Sequence, residues 1–236
     1  MVTPSPLRLA ILGTGRMGRE VEAAARERSM EVTGCLGRRA LGDPDRAKAA
    51  LRDADVAIEF TAPDAAVSNI HLCLEAECPV VVGTTGWYED LEDVSARVIR
   101  RGGGLLWGPN FSLGMAVMKA LCARAGETLL GIDGFDVHLS EMHHVAKKDV
   151  PSGTALILRD ILRETARRDV EVTSIRTGHV PGRHEVWIDG PHEHVVLTHE
   201  ARSRRVFADG ALLAAAWLRG HTGVFTMDNV ITLEGP

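Results

Sequence analysis

The 236-residue sequence predicts an α/β fold in two parts: a doubly wound parallel sheet, then a smaller α+β domain whose sheet is mixed or antiparallel. Three observations carry this expectation. Through about the first 110 residues, short apolar runs alternate with amphipathic stretches, the pattern of parallel strands joined by crossover helices. A G-x-G-x-x-G string follows the first of those runs directly. After Asn110 the rhythm changes to strand-like runs with few helices between them, which points to antiparallel pairing and a second domain.

The elements follow in order. Residues 7–12 (LRLAIL) form an apolar run ending in glycine, read as a buried strand. Met17, Val21, Ala24 and Ala25 then recur at helical spacing. Residues 31–36 (EVTGCL) and 54–60 (ADVAIEF) are the second and third strands, and Pro63 opens a helix through Leu74. Residues 79–83 (PVVVG) make a fourth strand, 91–100 a helix and 104–108 (GLLWG) a fifth strand. Right-handed crossovers place the strand-to-helix loops along one edge of such a sheet, where ligands bind. Beyond Asn110, a helix at 113–125 precedes strands at 134–141, 171–177, 184–187 and 194–199, with one helix at 154–165 among them. A last helix, 210–219, leads to 224–228 and 230–233 (VITL), a tail that reads as part of the first domain. The expected division is therefore 1–111 with 207–236, against 112–206.

Composition narrows the class. Apolar residues make up 45% and charged residues 25%, the balance of an ordinary soluble globular protein. A net charge of -5 speaks against a nucleic-acid binder. No apolar run approaches the length of a membrane span, and residues 1–7 lack a signal layout, so a cytoplasmic location is expected. Cys35, Cys73, Cys78 and Cys122 form no CxxC pair and read as small hydrophobes. His192, His194 and His199 have no cysteine or acid at a recognised ligand spacing, so no metal site is expected.

The glycine string is Gly13-Thr14-Gly15-Arg16-Met17-Gly18. Its first glycine permits the tight turn, its second lets backbone approach a pyrophosphate, and its third allows close helix–strand packing. The competing reading is a turn needed only for sheet geometry. Sites selective for NAD keep an acid at the end of the second strand; here that position reads Leu36-Gly37-Arg38-Arg39. Two guanidiniums suit a 2′-phosphate, so NADPH is the expected cofactor, with NADH possible; a solvated basic turn is the alternative.

The second chemical cluster runs from Glu141 to Thr154. His143 and His144 precede Lys147 by four and three residues at the end of a strand-like run. Histidine delivers a proton near neutral pH, and lysine supplies charge for a carboxylate or developing anion. Ser152-Gly153-Thr154 then starts a helix, whose N–H groups seat an anion. Singly, each of these is a surface pair, a solvated turn or a plain cap. Their concentration within 14 residues favours a site for a carboxylate-bearing substrate.

Glu141-x-His143-His144-x-x-Lys147-x-Asp149-x-Pro151-Ser-Gly-Thr154 resembles the signature of the 4-hydroxy-tetrahydrodipicolinate (dihydrodipicolinate) reductase family of diaminopimelate and lysine biosynthesis. Gly15-Arg-Met-Gly18, Phe60-Thr61-x-Pro63, Val82-Gly-Thr-Thr-Gly86, Pro109-Asn-Phe-Ser112 and Phe207-Ala-Asp-Gly-Ala211 extend the resemblance along nearly the whole chain. The resemblance implies a Rossmann-like dinucleotide-binding domain completed by the C-terminal segment, plus a substrate-binding domain that mediates homotetramers. It implies His143 as proton donor and Lys147 as second donor and charge stabiliser. By the same resemblance His144, Gly153 and Thr154 bind a small dicarboxylate, and Gly83, Thr84, Thr85, Gly108, Pro109, Asn110 and Phe111 line the nicotinamide side. Ala146 stands where many relatives carry a further histidine, the glycine loop is one residue shorter than in many, and the segment between Arg39 and Asp55 is trimmed. The rival functions are a two-domain reductase acting on an amino-aldehyde or another imino acid, and a catalytically silent NADPH sensor. The latter has no use for His143, His144 and Lys147 together.

Overall fold

The computed structural model describes residues 5–167 and 169–231. These fall into two compact units, one of residues up to Phe111 with those from Phe207 onward, the other Ser112–Val206. Thr232 and Leu233, placed above in the C-terminal tail, lie outside the described residues, as do residues 1–4.

The first unit runs β1 (Arg8–Leu12), α1 (Arg16–Glu27), β2 (Glu31–Leu36), α2 (Arg38–Leu41), α3 (Pro44–Arg52), β3 (Val56–Glu59), α4 (Pro63–Glu75), β4 (Val80–Val82), α5 (Leu91–Arg100) and β5 (Gly104–Trp107). The second unit holds α6 (Leu113–Leu129), β6 (Asp136–His143), α7 (Gly153–Ala166), β7 (Glu171–Arg176), β8 (Arg183–Asp189) and β9 (His194–Glu200). The chain ends through α8 (Arg205–Leu218), β10 (Gly223–Phe225) and α9 (Met227–Val230).

Among the described residues, the first unit's sheet has the order β10-β5-β4-β3-β1-β2, with every pairing parallel. Its strands are apolar on both faces because both faces are covered. Leu9, Ile11, Val56, Ile58, Val81 and Leu106 pack against residues of α1 and α8. The alternate residues Ala10, Leu12, Ala57, Val80, Val82 and Leu105 pack against α3, α4 and α5. The winding reverses between β1 and β3, and a doubly wound sheet binds its ligand outside the carboxyl ends of the strands at that point.

Two helices between β2 and β3 escaped the sequence reading. The trimmed interval after Arg39 still holds α2 and α3. The signals for α3 are ordinary ones: Asp43 caps it by accepting from Arg46 N–H (3.2 Å), Pro44 stands in the first turn, and Ala47 and Leu51 face the core. Arg38 and Arg39 accordingly open a short helix rather than a plain turn.

The glycine loop shows why its spacing matters. Gly13 has φ +108°, a conformation side chains rarely adopt, and its N–H donates to Leu36 O at 2.8 Å. A Cβ on Gly18 would lie 1.9 Å from the Gly13 carbonyl oxygen, so α1 reaches β1 only because residue 18 has no side chain. Gly18→Ala is expected to destabilise the first unit by about 1–3 kcal/mol, the usual cost of overpacking. A thermal melt with an unchanged Tm would contradict this packing.

The second unit's sheet, ordered β7-β6-β8-β9, is mixed. β6 and β7 run parallel because α7 is their crossover, while β6–β8 and β8–β9 are antiparallel. The mixed pairing, with α7 between β6 and β7, agrees with the expected mixed or antiparallel sheet interrupted by one helix at 154–165. One face of this sheet meets α6 and α7 through Val137, Leu139, Val186, Ile188, Met118, Leu158 and Leu162. Among the described residues, no helix is long and apolar enough to cross a membrane.

Candidate active site

Strand periodicity builds the chemical cluster. Along β6, Val137, Leu139, Glu141 and His143 are buried and alternate with more exposed residues, so all four face α6 and α7. The first two are apolar core. Beyond them the same face turns polar, and register sets the row: Ser174 on β7, Glu141 on β6, His184 on β8 and His199 on β9 stand opposite one another in turn. One step further, His143 is opposite Arg176.

Within this row Glu141, fully buried, is the hub. Its carboxylate accepts from His143 Nδ1–H and is paired with Arg176 at 2.8 Å. Its Oε1 also accepts from the Ser152 backbone N–H at 3.3 Å. Burial pulls the Glu141 pKa upward, but Arg176, Ser174 and His143 outweigh it and hold the carboxyl at about 2. His143 is 7% exposed; burial lowers its pKa, helped by the charges of Lys147 and Arg176, while Glu141 partly restores it. Because Nδ1 is committed to Glu141, the exchangeable proton of His143 sits on Nε2. His184 is 3% exposed, packs edge-on against His143 with ring centroids 5.2 Å apart, and bonds Ser152 Oγ through Nε2 at 3.2 Å.

The loop after β6 carries the rest. The His144 carbonyl accepts from Lys147 N–H at 3.1 Å. Lys147 Nζ pairs with Asp149 at 2.9 Å, and the other Asp149 oxygen accepts from Gly153 N–H at 3.3 Å. Burial raises the Asp149 pKa, but the Lys147 bond wins and lowers it. Ser152 caps α7 by accepting from Ala155 N–H (3.2 Å), and the helix has no acid in its first turn. The start of α7 therefore already takes a carboxylate, and does so together with the Lys147 ammonium.

Sequence reasoning missed Arg176 and His184. Both had a signal. His184 shares the inward parity of Val186 and Ile188 on β8, and Arg176 that of Val172 on β7, so each is an ionisable residue at a core-facing position. The Glu141, His143 and His184 side chains present ligand atoms within 4.8 Å of one another. The guanidinium on Glu141 and the Nδ1 bond of His143 commit the set to hydrogen bonding rather than to a cation. His199 is instead bonded to Ser112 Oγ at 2.9 Å, and the His194 ring lies tilted against Trp187.

In the first unit, the loops after β1, β3, β4 and β5 share the carboxyl edge of the sheet. Thr14, Gly15 and Arg16 are exposed, Met17 is half-buried, and Gly13 and Gly18 are buried. A Cβ on Gly15 would meet nothing within 4 Å, and α1 has neither a side-chain cap nor an acid in its first turn. Those are the properties a pyrophosphate needs, so the residues fit a dinucleotide. Gly37 lies against Thr14, which sets Arg38 and Arg39, both exposed, next to the glycine loop. Thr84 turns inward: its hydroxyl accepts from Thr61 N–H (2.8 Å), while Thr85 is exposed. Phe111 is a core residue, edge-on to Phe60, whose ring sits against Gly83. Gly108 is buried, Asn110 half-buried and Pro109 exposed.

A doubly wound parallel sheet with an open glycine loop, accompanied by a unit bearing a buried acid–imidazole pair, defines the class: a nicotinamide-nucleotide-dependent oxidoreductase. The comparisons give the family. Residues 7–111 match the model "Dihydrodipicolinate reductase, N-terminus" and residues 114–231 match "Dihydrodipicolinate reductase, C-terminus". The chain belongs to the dihydrodipicolinate reductase family. It is 33% identical to the 4-hydroxy-tetrahydrodipicolinate reductase of Christiangramia forsetii, over 96% of this chain and 98% of that protein. It is 37% identical to the same enzyme of Haloarcula marismortui, over 95% of this chain and 98% of that protein. A dipicolinate-bound dihydrodipicolinate reductase from Paenisporosarcina sp. TG-14 has the same fold, with a TM-score of 0.79 at 22% identity over 96% of this chain and 100% of that one.

Proposed function

We propose that this chain reduces 4-hydroxy-tetrahydrodipicolinate to tetrahydrodipicolinate with NADPH, and that His143 and Lys147 are its chemical pair. The reaction is that of the reductases it matches along nearly its whole length. The observation that carries the residue assignment is the buried Glu141–His143 pair beside a lysine and a helix start that already hold one carboxylate.

Bound NAD(P)H supplies the hydride. The chain's residues do the remainder. Loss of water leaves a conjugated ring with two carboxylates, and hydride addition leaves an electron pair on it that takes up a proton. Protonated His143, held by Glu141 at Nδ1, offers that proton from Nε2, and Lys147 stabilises the anionic charge. His144 contacts the substrate, and Gly153 and Thr154 seat a carboxylate, for which Asp149 stands as an internal counterpart. Gly13 to Gly18 hold the pyrophosphate, and Gly83 to Thr85 with Gly108 to Phe111 support the nicotinamide side.

Arg38 and Arg39, exposed and drawn into no ion pair among the described residues, support the preference for NADPH. The outer face of the second unit's sheet, with Ile175 and Trp187 each 40% exposed, supports assembly as a homotetramer. The chemistry of an amino-acid pathway supports a cytoplasmic location.

A coupled assay following nicotinamide absorbance with the pathway substrate tests the reading, and no oxidation with either cofactor would sink it. Arg38→Ala/Arg39→Ala is expected to raise the KM for NADPH about 10–100-fold, the worth of charged hydrogen bonds to a phosphate, and to leave NADH nearly unchanged. Equal losses with both cofactors would remove these arginines from 2′-phosphate recognition.

A further inference from the structure

We propose that His184 is a positioning residue of this active site: through the Ser152 hydroxyl it fixes the first turn of α7, and through its ring it fixes the plane of His143. The inference rests on the reading of that first turn as the substrate's carboxylate seat.

Ser152 is where three elements meet. Its hydroxyl caps α7 by accepting from Ala155 N–H, and its backbone N–H donates to Glu141 on β6. The third contact is His184 on β8, 3.2 Å from the hydroxyl. The Ala155 bond leaves the hydroxyl proton free, and His184 Nε2 accepts it in the Nδ1–H tautomer, in which the buried Nδ1 has no partner among the described residues. Ser152 is thereby held in one rotamer, with α7 anchored to two strands at once. Gly153 and Thr154 follow immediately, so their placement depends on that anchor.

The same ring packs edge-on against His143, at an interplanar angle of 75°, and closes the side of His143 that faces β8. His143 is otherwise fixed at Nδ1, about which the ring can still tilt. Burial, and then the charge of His143, hold His184 at a pKa of about 3, so it is uncharged near neutrality and remains an acceptor. Protonated, it would add a cation beside His143, Lys147 and Arg176. Core packing does not ask for histidine here: Val186 and Ile188 fill the equivalent inward positions of β8, and a leucine would suit the same space. What histidine adds is the acceptor for Ser152. Small displacements of such supports propagate to the reacting groups, which is why the effect is expected on substrate rather than cofactor.

The test compares His184→Leu, which keeps volume and loses the acceptor, with His184→Gln, which restores one. Titration with dipicolinate and with NADPH, and the split between KM and kcat, are measured for each and for the wild type. His184→Leu is expected to raise the dipicolinate Kd and substrate KM by about tenfold or more and leave the NADPH Kd unchanged, with His184→Gln recovering most of the loss. Ser152→Ala, which also removes the cap on Ala155 N–H, should lose at least as much, and combining it with His184→Leu should cost clearly less than the sum of the two, because they share the Ser152–His184 bond. Wild-type dipicolinate affinity in His184→Leu, or additive losses in the double variant, would overturn the proposal. If His184→Leu does not fold, wild-type dipicolinate affinity in Ser152→Ala overturns it equally. A wild type that neither binds dipicolinate nor oxidises NADPH would instead sink the functional reading itself.

Discussion

Replacing His143 with glutamine is expected to lower kcat by about 10²–10⁴-fold, the range lost with a positioned general acid, while NADPH binds almost as before. The pH dependence sharpens this. The proposed role of His143 requires its acid form, and in the free protein burial, Lys147 and Arg176 hold its pKa below the ordinary 6.5. The value of kcat/KM, which reports the free enzyme, should therefore fall as pH rises through that lowered pKa. A bound dicarboxylate brings negative charge to the same ring and raises its pKa. The descending limb of kcat should accordingly lie at higher pH than that of kcat/KM, and both limbs should vanish in His143→Gln. Retention of near wild-type turnover, or limbs in the reverse order, would remove His143 from the acid role.

The largest effect on stability is expected from Glu141→Ala. The carboxylate is fully buried and meets Arg176, His143 and the Ser152 N–H. Truncation takes the carboxylate from the largely buried Arg176 guanidinium, which keeps only its bonds to the Ile175 and Asp149 carbonyls, so the second unit should lose about 3 kcal/mol, read from urea unfolding. The sign with pH follows from the depressed pKa. A carboxyl at about 2 in the folded chain, against an ordinary 4.5, contributes stability above pH 4.5 and loses it as pH falls toward 2. The gap between wild type and Glu141→Gln should therefore be widest near neutrality and narrow in acid. A gap independent of pH would mean that Glu141 serves by shape and not by charge.

Much of this was legible residue by residue. The helix Leu91–Arg100 and the strand Glu31–Leu36 stand at the bounds their periodicity predicted, because both are short elements whose burial pattern is local. α3 was not read, although Asp43-Pro44 marked its start, because its apolar face is only Ala47 and Leu51. α8 begins at Arg205, five residues before the helix predicted from Gly210, since Val206, Phe207 and Ala208 are a consecutive apolar run without helical spacing of its own.

The sequence by itself determined the alternation that makes a doubly wound sheet, the spacing Gly13 to Gly18, and the string from Glu141 to Thr154. These are local properties: periodicity, backbone permissiveness and short-range reach. Only the tertiary structure decided which distant groups complete the site. Arg176 and His184 lie 35 and 43 positions beyond Glu141, and become its neighbours only once β6 pairs with β7 on one side and β8 on the other. A strand's parity says which face a side chain takes, but not which partner it meets there. That is fixed by register, which is set by the whole sheet's packing against α6 and α7.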